Sequence, residues 1–274
     1  MGYDHNKPIS IDESKELQIE LLKTIHEICE KYGLTYYMMF GSLIGAVRHH
    51  GFIPWDDDID ICMPRKDYAK FFELLNQEQA HGMRAVCCEN EDKYYLPFGK
   101  VINTLTILKE NVSCSYELGI YVDVFPLDLL SSDKKLNQRL KRRILVLRRL
   151  LAIKLNPGSD KRKGLRKILH YVLNHTVTQI NMNKISTRIN TLSQMAEIDD
   201  ATMCGILSNT DERGIQREYK CDWFSGKQLM EFEGLNIWVP SGYVEILRYI
   251  YGDYVILPPE ETRRSAHEYS MWWK

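Results

Sequence analysis

The spacing of apolar residues changes along this chain between helical and strand periods, and the changes predict its elements. Ser10-Ile11-Asp12-Glu13 has the sequence of a capping box, and apolar residues follow it at helical spacing. These apolar residues are Leu17, Leu21, Ile25 and Ile28. Gly33 is the residue type that ends helices in a left-handed conformation. The pattern therefore predicts one long helix before Gly33.

Strand patterns dominate the next hundred residues. Residues 34–40 are rich in aromatic and β-branched side chains, and Asp58-Ile59-Asp60-Ile61 alternates polar with apolar positions, so both segments predict strands. Two more strands are predicted, at residues 96–108 and 113–125. Pro64 precedes a predicted helix whose apolar face is formed by Tyr68, Phe71, Phe72 and Leu75.

The second half of the chain is predicted to be mainly helical. Residues 133–154 form a basic amphipathic helix, and residues 168–197 are helical again. The apolar stripe of the basic helix consists of Leu136, Leu140, Ile144, Leu147 and Leu151. Residues 202–207 and 234–239 predict short strands that return to the sheet.

These elements predict an α/β (α+β) fold with a mixed β-sheet core flanked by helices. The chain is long enough to bury a sizeable core together with an appended helical part. We expect a catalytic core in residues 1–130, a basic helical insertion in residues 131–200, and a C-terminal segment in residues 201–274 that returns to the core.

The candidate chemistry is concentrated in an acidic stretch at the predicted second strand. Asp56, Asp57, Asp58 and Asp60 place four carboxylates within five residues. Alternation along a strand puts Asp58 and Asp60 on one face, roughly 6–7 Å apart. Like charges this close repel unless a proton or a cation lies between them, and Mg²⁺ suits carboxylate oxygens and donor phosphates. For Asp56 and Asp57 alone, a solvated acidic turn is an equally good interpretation.

A small-residue turn upstream and a third strand carboxylate would complete such a site. Gly41 and Ser42 stand between a predicted strand and a short helix, where backbone N–H groups can approach a phosphate. Asp123 alternates with Val122 and Val124, so its carboxylate is expected on one strand face. Beside Asp58 and Asp60 we interpret Asp123 as a metal ligand or general base, rather than as a structural hydrogen-bonding residue.

Two further residues near this strand have open interpretations. Lys100 lies on a strand expected to adjoin the site, where it either binds phosphate or protects a sheet edge. Asp128 follows Pro126 and is predicted to be a turn residue.

The formal net charge of −1 conceals a strong segregation of charge. Residues 134–167 contain fourteen lysines and arginines and one acid, Asp160. A basic amphipathic helix either lies on an anionic membrane or packs its apolar stripe on the core with a solvated basic face, and we favour the second. No recognised nucleic-acid-binding motif accompanies it, so nucleic acid is not an expected partner.

Cysteine usage and the termini predict a cytoplasmic protein. The seven cysteines include no C-x-x-C pair, which argues for a reducing compartment and against a disulfide framework. The first residues contain no apolar segment of the secretory type, and no apolar run approaches 18 residues. A peripheral contact with the inner face of the membrane stays open.

Residues 41–48, residues 51–60 and Met63-Pro64-Arg65 together resemble the LicD family of phosphocholine transferases, which belongs to the nucleotidyltransferase-fold superfamily. The resemblance implies a nucleotidyltransferase-like core, with Asp123 as the family's third acidic residue and Arg48 as part of the site. Residues 249–267 also resemble the end of LicD-type chains, so Arg263 and His267 are expected to meet phosphate.

The resemblance implies a reaction and its cofactor. The expected activity is transfer of phosphocholine from CDP-choline, or another CDP-alcohol, to a sugar hydroxyl of a cell-surface glycan such as teichoic acid or lipopolysaccharide, with release of CMP. The acceptor is then a glycan or a lipid-linked glycan. Asp58, Asp60 and Asp123 would hold Mg²⁺ or Mn²⁺, and Gly41, Ser42, Arg48, Lys100, Arg263 and His267 would bind the donor phosphates. Choline binds aromatic rings by cation–π contact, and Trp55, adjacent to the acidic strand, is the candidate.

Two other functions remain open. A nucleotidyltransferase in the strict sense would attack the α-phosphate of a nucleoside triphosphate and show no preference for choline. A glycosyltransferase-like module would use the acidic strand only to hold a cation beside a nucleotide sugar, and would tolerate neutralisation of Asp123. The Gly-Ser turn and the third strand aspartate favour phosphocholine transfer, because a nucleotide-sugar D-x-D motif needs neither.

Overall fold

A computed structural model describes residues 7–112, 114, 116–155, 181–195, 201–210, 216–265 and 269–274. Its α-helices are α1 (Ile11–Tyr32), α2 (Phe40–Ile44), α3 (Arg65–Glu78), α4 (Lys134–Leu155), α5 (Met182–Gln194) and α6 (Tyr243–Tyr251). A π-helical turn, Gly45–His49, continues α2.

The strands form one large mixed sheet and two antiparallel pairs. They are β1 (Tyr37–Met38), β2 (Asp60–Pro64), β3 (Met83–Val86), β4 (Gly99–Asn103), β5 (Thr106–Glu110), β6 (Tyr121–Leu130), β7 (Met203–Gly205), β8 (Tyr219–Lys220), β9 (Lys227–Phe232), β10 (Leu235–Pro240) and β11 (Tyr269–Trp273). The main sheet has the order β1-β2-β6-β4-β3, with β7 on the far half of β6 and β8 beside β7. Strand β6 is parallel to β2 and antiparallel to β4, so the predicted mixed α/β class is confirmed.

The first helix forms as its sequence predicts. The N–H of Ser10 donates to Glu13 Oε2 at 2.8 Å, and the N–H of Glu13 donates to Ser10 Oγ at 3.2 Å, which is a complete capping box. Gly33 ends the helix with φ +64°. Leu21 and Ile25 are fully buried, and α1 packs on α3 and on β6. Helix α1 therefore covers one face of β6, the central strand of the main sheet.

Two of the predicted strands begin later in the chain than expected. The acidic strand starts at Asp60, and Asp58 lies in the segment just before it. The segment predicted at 113–125 forms a strand only from Tyr121, but that strand runs on to Leu130. In both segments the apolar residues of the predicted alternating pattern face the core, because Ile59, Ile61, Val122 and Val124 are fully buried.

Asp128 was expected in a turn, and that prediction is wrong. Strand β6 continues through Pro126, and Asp128 is 1% exposed. Arg65 Nε donates to Asp128 Oδ1 at 2.7 Å, so a buried ion pair from α3 compensates the buried carboxylate. Proline is compatible with this position because one side of β6 changes partner there, from β4, which pairs up to Val124, to β7, which pairs from Asp128.

Of the two short C-terminal strands predicted to return to the main sheet, only the first does so. Residues 203–205 return to the main sheet by pairing with β6, as predicted. Residues 235–240 pair with β9 in a separate hairpin, so their predicted return to the main sheet is wrong. The partner strand β9 begins with two polar residues, Lys227 and Gln228, and carries the exposed Leu229, and the sequence analysis did not assign it to a strand.

The basic helix α4 packs its apolar stripe inside the protein. All five stripe residues lie in one hydrophobic cluster with Ile185, Ile189 and Leu192 of α5, and Leu140, Ile144 and Leu151 are buried there. This confirms the core-packing interpretation of the helix. Of the second predicted helix, residues 168–180 lie outside the described part of the chain. Among the described helices, none has the length and apolarity needed to cross a bilayer.

Candidate active site

The Gly-Ser segment is tied directly to the acidic segment. Helix α2 begins at Phe40, whose φ of +50° turns the chain out of β1. Ser42 is buried, and its Oγ accepts the N–H of Asp60 at 2.8 Å. At Gly41, a Cβ atom would collide with the carboxylate of Asp56. The two motifs therefore fix one another, and glycine at position 41 leaves the space that the Asp56 carboxylate occupies.

Strand register places three predicted site residues side by side. Asp60 of β2 pairs with Asp123 of β6, and Asp123 pairs with Lys100 of β4. Lys100 Nζ lies 2.5 Å from Asp123 Oδ1 and 3.2 Å from the centre of the Tyr121 ring. Because β4 lies between β6 and β3, the edge interpretation of Lys100 is wrong. Its ammonium group, on a side chain only 2% exposed, balances the charge of Asp123.

The acidic groups raise the pKa of Asp60. Burial raises this pKa well above its ordinary value, and the neighbouring carboxylates of Asp58, Asp123 and Asp56 raise it further, in that order of effect. Lys100 acts in the opposite direction. A carboxyl group in this environment requires either a proton or a nearby cation. The site therefore has the electrostatics of a place where a cation would be stabilised.

The segment before the strand contributes further carboxylates. Oxygens of Asp56, Asp57 and Asp58 lie within 4.8 Å of one another, a spacing that suits one hard cation. Asp57 is 4% exposed, so the solvated-turn interpretation is wrong for this residue. Its carboxylate accepts the hydroxyl of Ser265, while its carbonyl accepts Gln18 Nε2 at 2.8 Å and Tyr269 Oη at 3.0 Å.

The residues present fit a divalent cation on chemical grounds. Among the described residues, the donors of this cluster are the carboxylate oxygens of Asp56, Asp57 and Asp58, and Mg²⁺ and Mn²⁺ prefer such oxygens. Burial and the neighbouring carboxylates raise the pKa of Asp60, so a cation close to this group would favour its ionised form. Asp56 thus lies with Asp57 and Asp58 in one cluster, whereas the sequence analysis left a solvated turn as an equally good interpretation of Asp56.

A basic rim lies beside the carboxylates. Arg48 lies in the last turn of the π-helical segment and donates from Nη1 to the carbonyl of Tyr254 at 2.8 Å. Burial, and after it the charge of Arg263, lowers the pKa of Arg48, so the two guanidinium groups lie near one another. Arg263 in turn lies 5.3 Å from the centre of the Trp55 ring. Two arginines from distant parts of the sequence thus converge next to the residue that precedes Asp56.

This arrangement bears on the residue predicted to bind choline. The half-exposed ring of Trp55 already has Arg263 over it, and His49 packs edge-on at 6.5 Å between ring centres. A bound trimethylammonium group would have to use the other face of the ring or displace the arginine. The remaining phosphate candidate, His267, lies outside the described residues.

Sequence reasoning missed Tyr251 as a neighbour of the site. Burial of its hydroxyl raises the pKa of Tyr251, as do the carboxylates of Asp60, Asp56 and Asp58. Tyr251 ends α6, and α6 packs on α2. A signal was present, since this tyrosine belongs to the C-terminal stretch that shares the family pattern, but aromatic residues are common and no spacing rule selects this one.

Comparison with known proteins agrees with this geometry. Residues 33–133, which include the Gly-Ser segment, the four aspartates and Asp123, match the pattern of the LicD/FKTN/FKRP nucleotidyltransferase domain. Residues 33–133 are therefore similar to a LicD-family domain. The matched segment thus ends just beyond β6, the strand at the centre of the candidate site.

The relatives of this chain differ in how much of it they cover. Lipopolysaccharide cholinephosphotransferase LicD of Haemophilus influenzae is 29% identical over 270 residues, which is 95% of this chain and 97% of that protein. An uncharacterized protein of Rickettsia typhi is 40% identical over 79 residues, 28% of this chain and 26% of that protein. Human ribitol 5-phosphate transferase FKRP is 34% identical over 59 residues, 22% of this chain and 12% of that protein.

Proposed function

We propose that this LicD-family protein is a phosphotransferase that moves phosphocholine from CDP-choline, or a related CDP-alcohol, to a sugar hydroxyl of a surface glycan. Lipopolysaccharide and teichoic acid are the candidate acceptors, either free or lipid-linked, and CMP is released. The observation that carries the proposal is the row formed by Asp60, Asp123 and Lys100 on three paired strands, with Asp58 beside it. The similarity to a lipopolysaccharide cholinephosphotransferase over nearly the whole chain supports the choice of substrate.

Asp58, Asp60 and Asp123 are proposed to hold the metal, with Asp56 as a fourth candidate. A bound Mg²⁺ or Mn²⁺ would offset negative charge on the donor phosphates and on the leaving oxygen. Lys100 fixes the Asp123 carboxylate through their 2.5 Å ion pair. Because that carboxylate is held by a strand and by a lysine, it needs little reorganisation during the reaction.

The donor phosphates are proposed to lie between the carboxylates and the basic rim. Arg48 and Arg263 supply positive charge there, and His267 is retained as a candidate. Gly41 and Ser42 are proposed to approach the phosphate with backbone N–H groups at the start of α2. The Ser42 hydroxyl oxygen already accepts the N–H of Asp60, so its main role is to hold the acidic strand.

In the proposed reaction the sugar hydroxyl attacks the phosphorus that bears choline. The bond from that phosphorus to the CMP oxygen breaks, the new bond to the sugar oxygen forms, and the hydroxyl proton passes to Asp123. In-line transfer of this kind depends mainly on positioning and charge stabilisation. Seven free cysteines fit a reducing compartment, so we propose that the reaction takes place in the cytoplasm.

Transfer of a nucleotidyl group from a nucleoside triphosphate is the second candidate, because the matched domain is described as a nucleotidyltransferase domain. A thermal-shift panel with Mg²⁺ and CDP-choline, CDP-ethanolamine, CDP-ribitol, CTP and UDP-sugars separates the two, because ligands that bind the native state raise Tm. We expect stabilisation by CDP-choline and release of CMP once an acceptor glycan is added. Stabilisation by CTP alone, with pyrophosphate as product, would support the second candidate instead.

A further inference from the structure

Three consecutive aliphatic side chains stand exposed beside the candidate site. Val255 is 68% exposed, Ile256 69% and Leu257 43%. We call this segment, residues 255–257, the aliphatic loop. Single exposed apolar residues are common on protein surfaces, but a contiguous exposed group next to a functional site indicates a binding surface.

The aliphatic loop is held at both ends by residues of the basic rim. Arg48 donates to the carbonyl of Tyr254 just before the loop, at 2.8 Å. Arg263 Nε donates to the carbonyl of Pro258 just after it, at 2.9 Å. Arg263 also lies over the ring of Trp55, the residue before Asp56, and its charge acts on Arg48. The loop is therefore a fixed projection at the edge of the site.

Its flanking residues have the composition of a membrane-interface segment. Tyr249 is 46% exposed, and tyrosine favours the boundary between water and an apolar phase. Residues 248–265 contain three arginines and three acids, so their charges balance. Apolar insertion, rather than attraction to anionic lipid, is the interaction that this segment offers.

We propose that the aliphatic loop inserts into the surface of a lipid bilayer and so docks the candidate site on a membrane. A stable protein interface buries about 800 Å² per partner, which three side chains fall far short of supplying. Insertion of a few apolar side chains is sufficient for reversible interfacial binding. This inference goes beyond the proposed reaction, and its test does not depend on activity.

Among the described elements, the basic helix α4 is a second candidate for binding a membrane, and the packing of its apolar stripe argues against it. Its apolar stripe is buried against α5, so only its basic face and scattered residues such as Val146, 55% exposed, face solvent. Binding through that face would be electrostatic, would need anionic lipid and would weaken in high salt. Binding through the aliphatic loop would occur on zwitterionic lipid and change little with salt.

The test is vesicle flotation of the full chain with phosphatidylcholine, and with phosphatidylcholine mixed with phosphatidylglycerol, at low and high salt. We expect binding to both, and a loss of at least about tenfold in the partition coefficient for the double variant V255S/I256S. Val146→Ser on α4 and Leu229→Ser on β9 are matched controls, because both residues are similarly exposed and lie outside the loop. Neither should change binding. Ile256→Trp should gain fluorescence quenching by brominated lipid over the wild-type background.

Several results would overturn the proposal. One is the absence of binding to either vesicle at high lipid concentration, and another is unchanged binding by V255S/I256S. Binding that requires phosphatidylglycerol and disappears in high salt would assign the contact to basic residues. A dimer in light scattering that dissociates in the double variant would assign the loop to contact between two copies. None of these results would bear on the choline or metal specificity of the site.

Discussion

The buried pair of Lys100 and Asp123 makes the most direct prediction about the candidate site. Replacing Lys100 by Met keeps most of the side-chain volume but removes the positive charge beside Asp60 and Asp123. At 2.5 Å, a pair of unit charges attracts by about 7 kcal/mol at an effective dielectric constant of 20. Much of this attraction offsets the cost of desolvating both groups, so the expected loss on breaking the pair is about 3–5 kcal/mol of unfolding free energy.

A matched control is a second buried ion pair whose carboxylate lies on the same strand as Asp123, β6. Arg65 and Asp128 form a second buried pair, 2.7 Å apart, in which both side chains are less than a tenth exposed. Arg65→Met should therefore cost a similar amount. The two variants differ in one respect, because only Lys100 adjoins the carboxylate cluster that suits a cation. Added Mg²⁺ should narrow the difference in unfolding free energy between Lys100→Met and the wild type. It should leave the difference between Arg65→Met and the wild type unchanged.

Urea unfolding of both variants and of the wild type, with and without Mg²⁺, measures these differences. If the m-value is the same for all three proteins, a change in the urea midpoint reports a change in the free energy of unfolding. A loss below about 1 kcal/mol for Lys100→Met would show that the pair contributes little. An equal response of the two variants to Mg²⁺ would refute the assignment of the cation to the cluster beside Lys100.

Three further predictions concern residues around the same carboxylates. Asp60→Asn should abolish turnover while raising the Tm of the metal-free protein near neutral pH. Folding raises the pKa of Asp60, so the stability of the wild type falls as the pH rises from the ordinary aspartate range through that raised pKa. Denaturation at several pH values should show a flatter dependence of stability on pH in the variant. Gly41→Ala should weaken Mg²⁺ binding by about tenfold or more in calorimetry, since its Cβ must displace the Asp56 carboxylate, whereas Gly226→Ala, where a Cβ meets only ordinary contacts, should not. Ser42→Ala should cost about 1–3 kcal/mol in chemical denaturation because the buried N–H of Asp60 loses its acceptor, and an unchanged midpoint would mean that another group accepts this N–H.

The elements that local signals specify were predicted well. The capping box and Gly33 fixed both ends of α1, since these signals act through hydrogen bonds and backbone conformations a few residues apart. The apolar stripe of α4 was placed correctly inside the protein, because a stripe at helical spacing must be covered. The segments that failed depend on remote partners: residues 235–240 joined β9, and Asp128 stayed in a strand because Arg65 of α3 compensates its charge.

For the candidate site, the sequence by itself identified the residue types and most of their positions. Asp58, Asp60 and Asp123 were selected by strand alternation and by the family pattern, because a carboxylate between buried apolar neighbours is a local signal. Their separation in sequence says nothing about distance, however. Only the parallel pairing of β2 with β6 and the antiparallel pairing of β6 with β4 brought Asp60, Asp123 and Lys100 into one row.

The tertiary structure alone decided what surrounds those carboxylates. Arg263 lies over Trp55, Tyr251 lies in the field of the aspartates, and the Asp57 carboxylate binds Ser265. Each of these contacts joins residues about two hundred positions apart in the sequence. Periodicity and capping report on neighbours along the chain, whereas long-range contacts depend on how whole elements pack, and for this reason only the folded chain could show them.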